Sequence, residues 1–252
     1  MSNYTNDKTH LTNVYFLRNK DQQLEAYKTY EAWADTQMGA KLKVLNTDCG
    51  GEYLRHDFVA HLKSKGTIQK LSIHDTHQES RVAERRNRTI IKRAQAFLHA
   101  SGLPKNLWAE AVRHAVWLLN QTTMKAIEGM TPYEAAFGKK PDLRRLREWG
   151  EKVWVHVEKG NKLGGRVCEG RWIGVEDESK GVWVYWPDTK TITIERNTYF
   201  DNSASHLEGE NGIQITEMNT NSHIPMTDNN NIPEHDDNIP EQDALENAHE
   251  TG

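Results

Sequence analysis

The chain has 252 residues, enough for one or two globular domains, and its average composition, with 36% hydrophobic residues and a net charge of −4, argues against a nucleic-acid partner. The average hides two unlike regions. Residues 201–252 hold twelve Asp or Glu and no Lys or Arg, so residues 1–200 carry all 32 basic residues against 24 acidic ones. A basic body is typical of proteins that bind polyanions, although an ordinary solvated surface explains such a surplus about as often.

The cysteine pattern and the apolar runs exclude other classes. Cys49 and Cys168 are too far apart for a disulfide framework or zinc-ligand spacing, which fits a reducing compartment. We expect Cys49 to be a small buried residue. No apolar run approaches the length of a membrane span, and residues 1–4 do not resemble a signal peptide. The composition therefore predicts an intracellular protein without a membrane partner.

The N-terminal part predicts a strand and a helix. Residues 1–12 are polar and without periodicity, so we expect a frayed lead-in. The run Asn13–Leu17 is rich in β-branched and aromatic residues, which favours a strand. Apolar residues then recur with helical spacing over Leu24–Met38, with Asp21 as the expected cap and Gly39 as the stop.

A second strand is predicted to end at an exposed carboxylate. The run that begins at Lys41 alternates like a half-buried strand up to Asp48, and glycines at positions 50 and 51 interrupt it. A short helix at about Phe58–Lys65 and a strand at Thr67–Ile73 follow. This alternation of strands and helices predicts an α/β sheet with helices packed on it.

Glu84 is predicted to lie on a strongly basic helix. A polar, mobile loop over His74–Ser80 leads into a helix with one apolar stripe, and the helix should end at Gly102. Ion pairing with Arg88 and with Arg81 on the same helix is the alternative role for Glu84. The cations on its side of the helix could follow the phosphates of a bound duplex or form a solvated face: Arg81, Arg85, Arg88 and Lys92.

Beyond this helix the sequence predicts more helix and then short strands. An apolar stripe over Lys105–Asn120, starting with Trp108, predicts a core helix, and Thr131 begins a capping box. A second basic group precedes the strands and could likewise bind nucleic acid or form a solvated surface: Lys139, Lys140, Arg144, Arg145 and Arg147. The predicted strands suggest a small β-barrel that folds independently around mostly buried aromatics: Lys152–Glu158, Gly170–Val175, Gly181–Trp186, Thr191–Glu195 and Thr198–Phe200.

Three motifs together resemble one known family. They read TDCGGEY from Thr47, RVAERRNRTI from Arg81 and TPYEAAFGKKPDL from Thr131, with thirty-five residues between Asp48 and Glu84. In this order and spacing they resemble the integrase of Ty1/copia-type LTR retrotransposons, over about residues 13–201. The resemblance implies an α/β, ribonuclease H-like core at 13–145 whose first strand is absent here. It also implies an SH3-like β-barrel at 147–201 and a disordered acidic linker at 202–252.

The resemblance also implies a chemistry. Integrases of this family use two aspartates and one glutamate to hold two Mg²⁺ (or Mn²⁺) ions for phosphoryl transfer that joins DNA 3′ ends to target DNA. Asp48 matches the second aspartate and Glu84 the glutamate, while the first aspartate has no counterpart. We therefore expect a fragment without activity of its own. The alternatives are a non-catalytic nucleic-acid-binding remnant and a degenerate product without function.

The family further implies the partners and the compartment. DNA is the expected partner, with RNA as a second candidate, and the intact proteins are expected to oligomerise as parts of Gag-Pol polyproteins. The expected compartment is the nucleus, or else the cytoplasm.

Overall fold

The computed structural model describes residues 1–71, 77–156, 167–176 and 179–201, with the backbone alone at 77–81. These residues belong to one unit, Met1–Ser205. The loop expected before the Glu84 helix lies partly, and the acidic linker wholly, outside the described residues. None of the helices described here is long and apolar enough to cross a membrane.

The first twelve residues form a hairpin, so the frayed lead-in was a wrong prediction. Strand β1 (Ser2–Thr5) pairs antiparallel with β2 (Thr12–Tyr15). The Asn6 side chain closes the turn by accepting from the backbone N–H of residues 8 and 9, at 3.0 and 2.9 Å. The sequence shows no hydrophobic pattern here, because β1 has only four residues and one of its buried side chains, Ser2, is polar. Gln23 satisfies the buried hydroxyl by donating a hydrogen bond of 2.9 Å to it.

A second, separate sheet follows. Strands β3 (Val44–Thr47) and β4 (Ile68–Leu71) pair in parallel. Helix α1 (Gln23–Met38) ends at Gly39, which has the left-handed φ of 58° that the predicted stop requires. Asp21 does not cap it and instead bonds Arg55. Two further helices lie between the strands: α2 (Gly51–Leu54) and α3 (His56–Lys65).

An aromatic cluster holds this N-terminal part together. Tyr4 of β1 stacks on Tyr30 of α1 with ring centroids 4.8 Å apart, and Tyr27 contacts Phe58 of α3 at 5.3 Å. Leu45 of β3 is partly buried against the same cluster. Both small sheets therefore contribute side chains to one core that α1 and α3 complete.

Three helices follow the second sheet: α4 (His77–Ser101), α5 (Trp108–Gln121) and α6 (Pro132–Phe137). Helix α4 begins inside the segment expected to be a loop. Gly102 ends it at φ 65°, and the Thr131 hydroxyl caps α6 by accepting from the Glu134 N–H at 3.0 Å, as predicted. Trp108 is 46% exposed and is not the core residue that the stripe predicted, because it sits in the first turn of α5. Cys49 is likewise exposed, not buried.

The C-terminal part is a five-stranded antiparallel sheet with the order β8-β7-β6-β5-β9. All five strands lie within or close to the predicted segments. Their bounds are β5 (Lys152–His156), β6 (Val167–Val175), β7 (Val182–Trp186), β8 (Thr191–Glu195) and β9 (Thr198–Tyr199).

The five-stranded sheet shares its core with α4 and α5. Ile90 of α4, Val112 of α5 and Trp172 of β6 belong to one cluster of buried side chains. Gly150 allows the close approach, because a β-carbon there would lie 2.4 Å from the Ser101 Cβ at the end of α4. The apolar core thus continues across the predicted boundary between core and barrel.

Candidate nucleic-acid interface and carboxylates

Asp48 stands exposed just after β3, where the sequence predicted it. The Gly50 N–H donates to its Oδ1 at 3.1 Å. A β-carbon at Gly50 would lie 2.9 Å from Asp48 Oδ1 and 3.0 Å from Glu52 Oε2, so the glycine lets both carboxylates approach the same point. The sequence interpretation missed Glu52, although its position directly after two glycines was a signal. Lys20 Nζ lies 3.6 Å from Glu52 Oε2 and partly neutralises the charge of that carboxylate.

Glu84 lies on the exposed side of α4, in its second turn. Among the described side chains it forms no ion pair, so the structure does not supply the pairing with Arg88 that was the alternative role. The carboxylate therefore faces solvent beside the exposed cations of the same helix.

The described carboxylates do not make up the metal site that the family implies. Nowhere in the described part of the chain do three His, Cys, Asp or Glu side chains come together in a group that could hold a metal ion. Two-metal phosphoryl transfer needs a shared set of ligands, which Asp48 and Glu84 do not complete. Among the residues that the structure describes, Asp48 and Glu84 therefore supply only part of the ligand set of a two-metal centre.

Helix α4 carries the four cations singled out in its sequence on the face opposite its buried stripe. At 100° per residue, positions 81, 85, 88 and 92 fall within about 60° of one another, while buried Ile90 and Ala94 lie on the other side. Arg85, Arg88 and Lys92 are exposed, and the side chain of Arg81 lies outside the described part. The structure thus brings Arg85, Arg88 and Lys92 together on one accessible surface, which we call the α4 basic face.

The inner side of α4 holds the N-terminal hairpin. The half-buried Arg86 donates to Thr12 Oγ1 at 2.6 Å and to the His10 carbonyl at 2.9 Å, and burial lowers the pKa of this guanidinium. Asn3 donates to the Asn87 side chain at 2.6 Å. Sequence reasoning missed both anchors. The available signal was two polar residues at inward positions of an amphipathic helix.

The second basic group is partly used within the protein. Arg144 binds the Asp142 carboxylate through Nε at 2.9 Å and Nη2 at 2.7 Å, and these hydrogen bonds lower the pKa of Asp142. Arg145 donates to the Gly181 carbonyl at 3.4 Å. Lys139 and Lys140 are exposed. This group therefore offers less positive charge to a partner than its sequence suggests.

The described elements define the class of protein: a mixed α/β core with a basic helix, followed by a small antiparallel β domain. Comparison with known proteins identifies that domain. Residues 151–212 match the family described as the retroviral polymerase SH3-like domain.

Two relatives extend the likeness over most of the chain. The retrovirus-related Pol polyprotein from transposon TNT 1-94 of Nicotiana tabacum is 31% identical over 86% of this chain, and the truncated transposon Ty1-A Gag-Pol polyprotein of Saccharomyces cerevisiae is 27% identical over 78%. The chain spans 17% and 16% of their lengths. A solved HTLV-2 integrase catalytic core in complex with magnesium is similar at a TM-score of 0.42 and 20% identity, covering 53% of this chain and 82% of that one.

The chain is thus related to a segment of the retrovirus-related Pol polyproteins of Ty1/copia-type transposons, the group that its motifs predicted. The predicted SH3-like domain is confirmed, and the described elements before it mix helices and strands, as predicted for an α/β core. The ribonuclease H-like type of that core stays a prediction.

Proposed function

We propose that this chain is a DNA-binding integrase fragment that contacts duplex DNA through the α4 basic face and does not join DNA ends by itself. The observation that carries the proposal is the exposure of Arg85, Arg88 and Lys92 on one side of α4, next to Glu84. Cations spaced along one helix face can follow the phosphates of a duplex, and such contacts are independent of base sequence. Binding should therefore be salt-dependent and show little sequence preference.

Of the two carboxylates that match those of the family, Glu84 lies beside the α4 basic face and Asp48 follows β3. In an intact member of the family, Mg²⁺ or Mn²⁺ would activate the attacking oxygen and stabilise the leaving one. In this chain Asp48 and Glu84 hold only part of the required ligand set, so we propose that they mark the end of the bound DNA without supporting its transfer. Such a segment would act as part of a larger polyprotein product, as the names of its relatives indicate. It would act in the nucleus, because the target DNA is there.

The binding proposal is tested by removing charge from α4. The double variant Arg88→Ala/Lys92→Ala should weaken binding of a duplex oligonucleotide, and the slope of log K against log salt should fall by about one for each phosphate that is no longer neutralised. Fluorescence anisotropy over a salt series measures both. The matched control is Lys63→Ala/Lys65→Ala, which removes two exposed charges from α3. Equal effects of the two double variants would contradict the assignment to α4.

The second part of the proposal is tested by activity. With Mg²⁺ or Mn²⁺, the chain should give no strand transfer in a DNA end-joining assay, because two carboxylates are too few to hold two ions. Strand transfer that is abolished by Asp48→Asn would refute this and require a substitute ligand, with Asp7 the first residue to test.

A further inference from the structure

The outer face of the five-stranded sheet displays an exposed tryptophan that the strand pattern fixes in place. In β5, Val153 and Val155 are fully buried in the core, so the pleat directs the residue between them to solvent. That residue, Trp154, is 37% exposed. Turning Trp154 inward would require a register slip that expels both valines, so its exposure is a stable feature of the sheet.

A second exposed aromatic lies directly beside it. Tyr199 of β9 is the register partner of Trp154 and is 60% exposed. The next residue, Phe200, packs against the core, which fixes β9 with Tyr199 on the outer side. Opposite partners in an antiparallel pair have β-carbons about 5 Å apart, so the two exposed aromatic side chains start from neighbouring points on one face of the sheet, which we call the aromatic surface.

The surroundings of this aromatic surface carry charge. Glu169 of β6 is the register partner of Trp154 on its other side, and Lys152 and Arg171 are partners of each other one pair along the same face. The Glu169 carboxylate lies 3.3 Å from Lys152 Nζ and 3.7 Å from Arg171 Nη2. Two cations thus face one anion, and this part of the face has a net positive charge beside the rings.

We propose that Trp154 and Tyr199 form a stacking site for the bases of single-stranded DNA, with Lys152 and Arg171 placed for its phosphates. Aromatic side chains on a sheet surface bind unpaired bases because every base has a π-face, and neighbouring cations attract the backbone. The charged residues disfavour a protein partner, since the centre of a protein interface is depleted of charge. Glu169, held between two cations, can accept a hydrogen bond from the amino group of a base.

This inference rests on the proposed DNA-binding function and adds a second class of DNA to it. The α4 basic face consists of cations without aromatic side chains, so it suits the phosphates of a duplex. The sheet face suits an unpaired end, whose bases are free to stack. Because the two surfaces lie on different elements, they can be tested separately in the full chain.

The test measures binding of a labelled oligothymidylate of about 20 nucleotides to the full chain by anisotropy. Trp154→Ala and Tyr199→Ala should each weaken this complex about fivefold or more, whereas duplex binding should remain unchanged. Trp154→Phe, which keeps a ring, should retain most of the affinity. The matched control is Trp108→Ala, which removes another exposed tryptophan, 46% against 37% for Trp154, from α5 and should leave both complexes unchanged. Far-UV circular dichroism verifies that each variant is folded.

The outcomes separate this inference from the proposed function. If the duplex binds through α4 but the oligothymidylate is held equally by wild type, Trp154→Ala and Trp108→Ala, the stacking site is refuted and the function stands. If neither DNA binds, both are refuted. If an oligouridylate of the same length binds more tightly than oligothymidylate, the assignment to DNA is overturned.

Discussion

Two of the three sheets described in this protein use the same β-branched residues with opposite results. In the parallel pair β3–β4, Val44 and Ile68 are register partners and remain 43% and 62% exposed. In the five-stranded sheet, Val153 and Val155 are fully buried. Parallel strands are normally covered on both faces, and in the described part of this chain only the face carrying Leu45 and Thr47 is packed on helices. The burial of a strand's side chains thus depends on how many of its faces are covered by other elements, not on its residue types alone.

The five-stranded sheet owes its burial partly to helices outside it. Trp172 lies against His114 of α5, with ring centroids 5.2 Å apart, and the Trp149 indole donates to the Ile173 carbonyl at 3.0 Å. The sequence alone favoured a barrel that folds independently. The shared core favours the opposite outcome, in which α4, α5 and the sheet unfold together.

The largest expected effect is on this shared core. Trp172→Ala should lower the free energy of unfolding by about 3–5 kcal/mol, because it empties a fully buried site between the sheet and α5. Urea denaturation followed by circular dichroism measures it. Trp154→Ala, on the outer side of the neighbouring strand, is the control and should cost much less. If Trp172→Ala left amide exchange in α5 unchanged, the sheet and the helices would be separate folding units.

A second effect of similar size depends on pH. Burial among Phe97, Trp117 and Trp172 lowers the pKa of His114 from 6.5 to about 4. The folded state then binds fewer protons than the unfolded state, so stability is complete above pH 6.5 and decreases as the pH falls towards 4. The loss should reach roughly 3 kcal/mol. Denaturation from pH 4.5 to 7.5 should show this slope in wild type and lose most of it in His114→Leu.

The control for the pH experiment is His99→Leu, which changes an exposed histidine at the end of α4. It should leave the slope intact. A slope that persisted in His114→Leu and vanished in His99→Leu would place the titrating group on the surface.

A smaller effect concerns the join between the N-terminal hairpin and α5. The buried Asn120 side chain donates to the Thr12 carbonyl at 2.8 Å and accepts from the Thr12 N–H at 2.9 Å. Asn120→Ala should cost about 2 kcal/mol, since two buried backbone groups lose their partner. Amide exchange of β2 and urea denaturation measure the loss. Asn106→Ala, an exposed asparagine before α5, should be nearly neutral. Equal stability of the two variants would mean that the two hydrogen bonds between Asn120 and Thr12 do not contribute measurably to the free energy of unfolding.

The smallest effect on stability, and the sharpest test of the comparison, is at the exposed pair of strands. Ile68→Lys should change the free energy of unfolding by less than about 1 kcal/mol, because the side chain is already in solvent. It should nevertheless reduce self-association, since exposed apolar strands invite pairing with other chains. Sedimentation velocity over a concentration series measures this. Leu143→Lys, 43% exposed in a loop, is the control. Equal self-association of both variants would show that the protein does not associate through β3 and β4.

Much of the local structure could be predicted because its causes are local. Gly39 and Gly102 end their helices by adopting positive φ, and Thr131 caps α6 through its own hydroxyl. The five strands near the C-terminus follow from alternation between turns. The spacing of Arg85, Arg88 and Lys92 fixed the α4 basic face, because helical geometry alone places such residues together. The motifs also identified the family.

Only the tertiary structure decided the features that depend on distant partners. Ser2 is buried and Arg86 is half-buried because residues far along the chain complete their hydrogen bonds, and the sequence does not show which residues these partners are. Trp108 and Trp154 are exposed although their residue type favours burial, because no further layer of structure covers them in the part of the chain described here. The carboxylates at positions 48 and 84 could be recognised from their motifs, but whether they share a site depends on the packing of separate elements. Sequence periodicity determines which face a residue occupies, whereas the packed neighbours determine whether that face meets solvent or core.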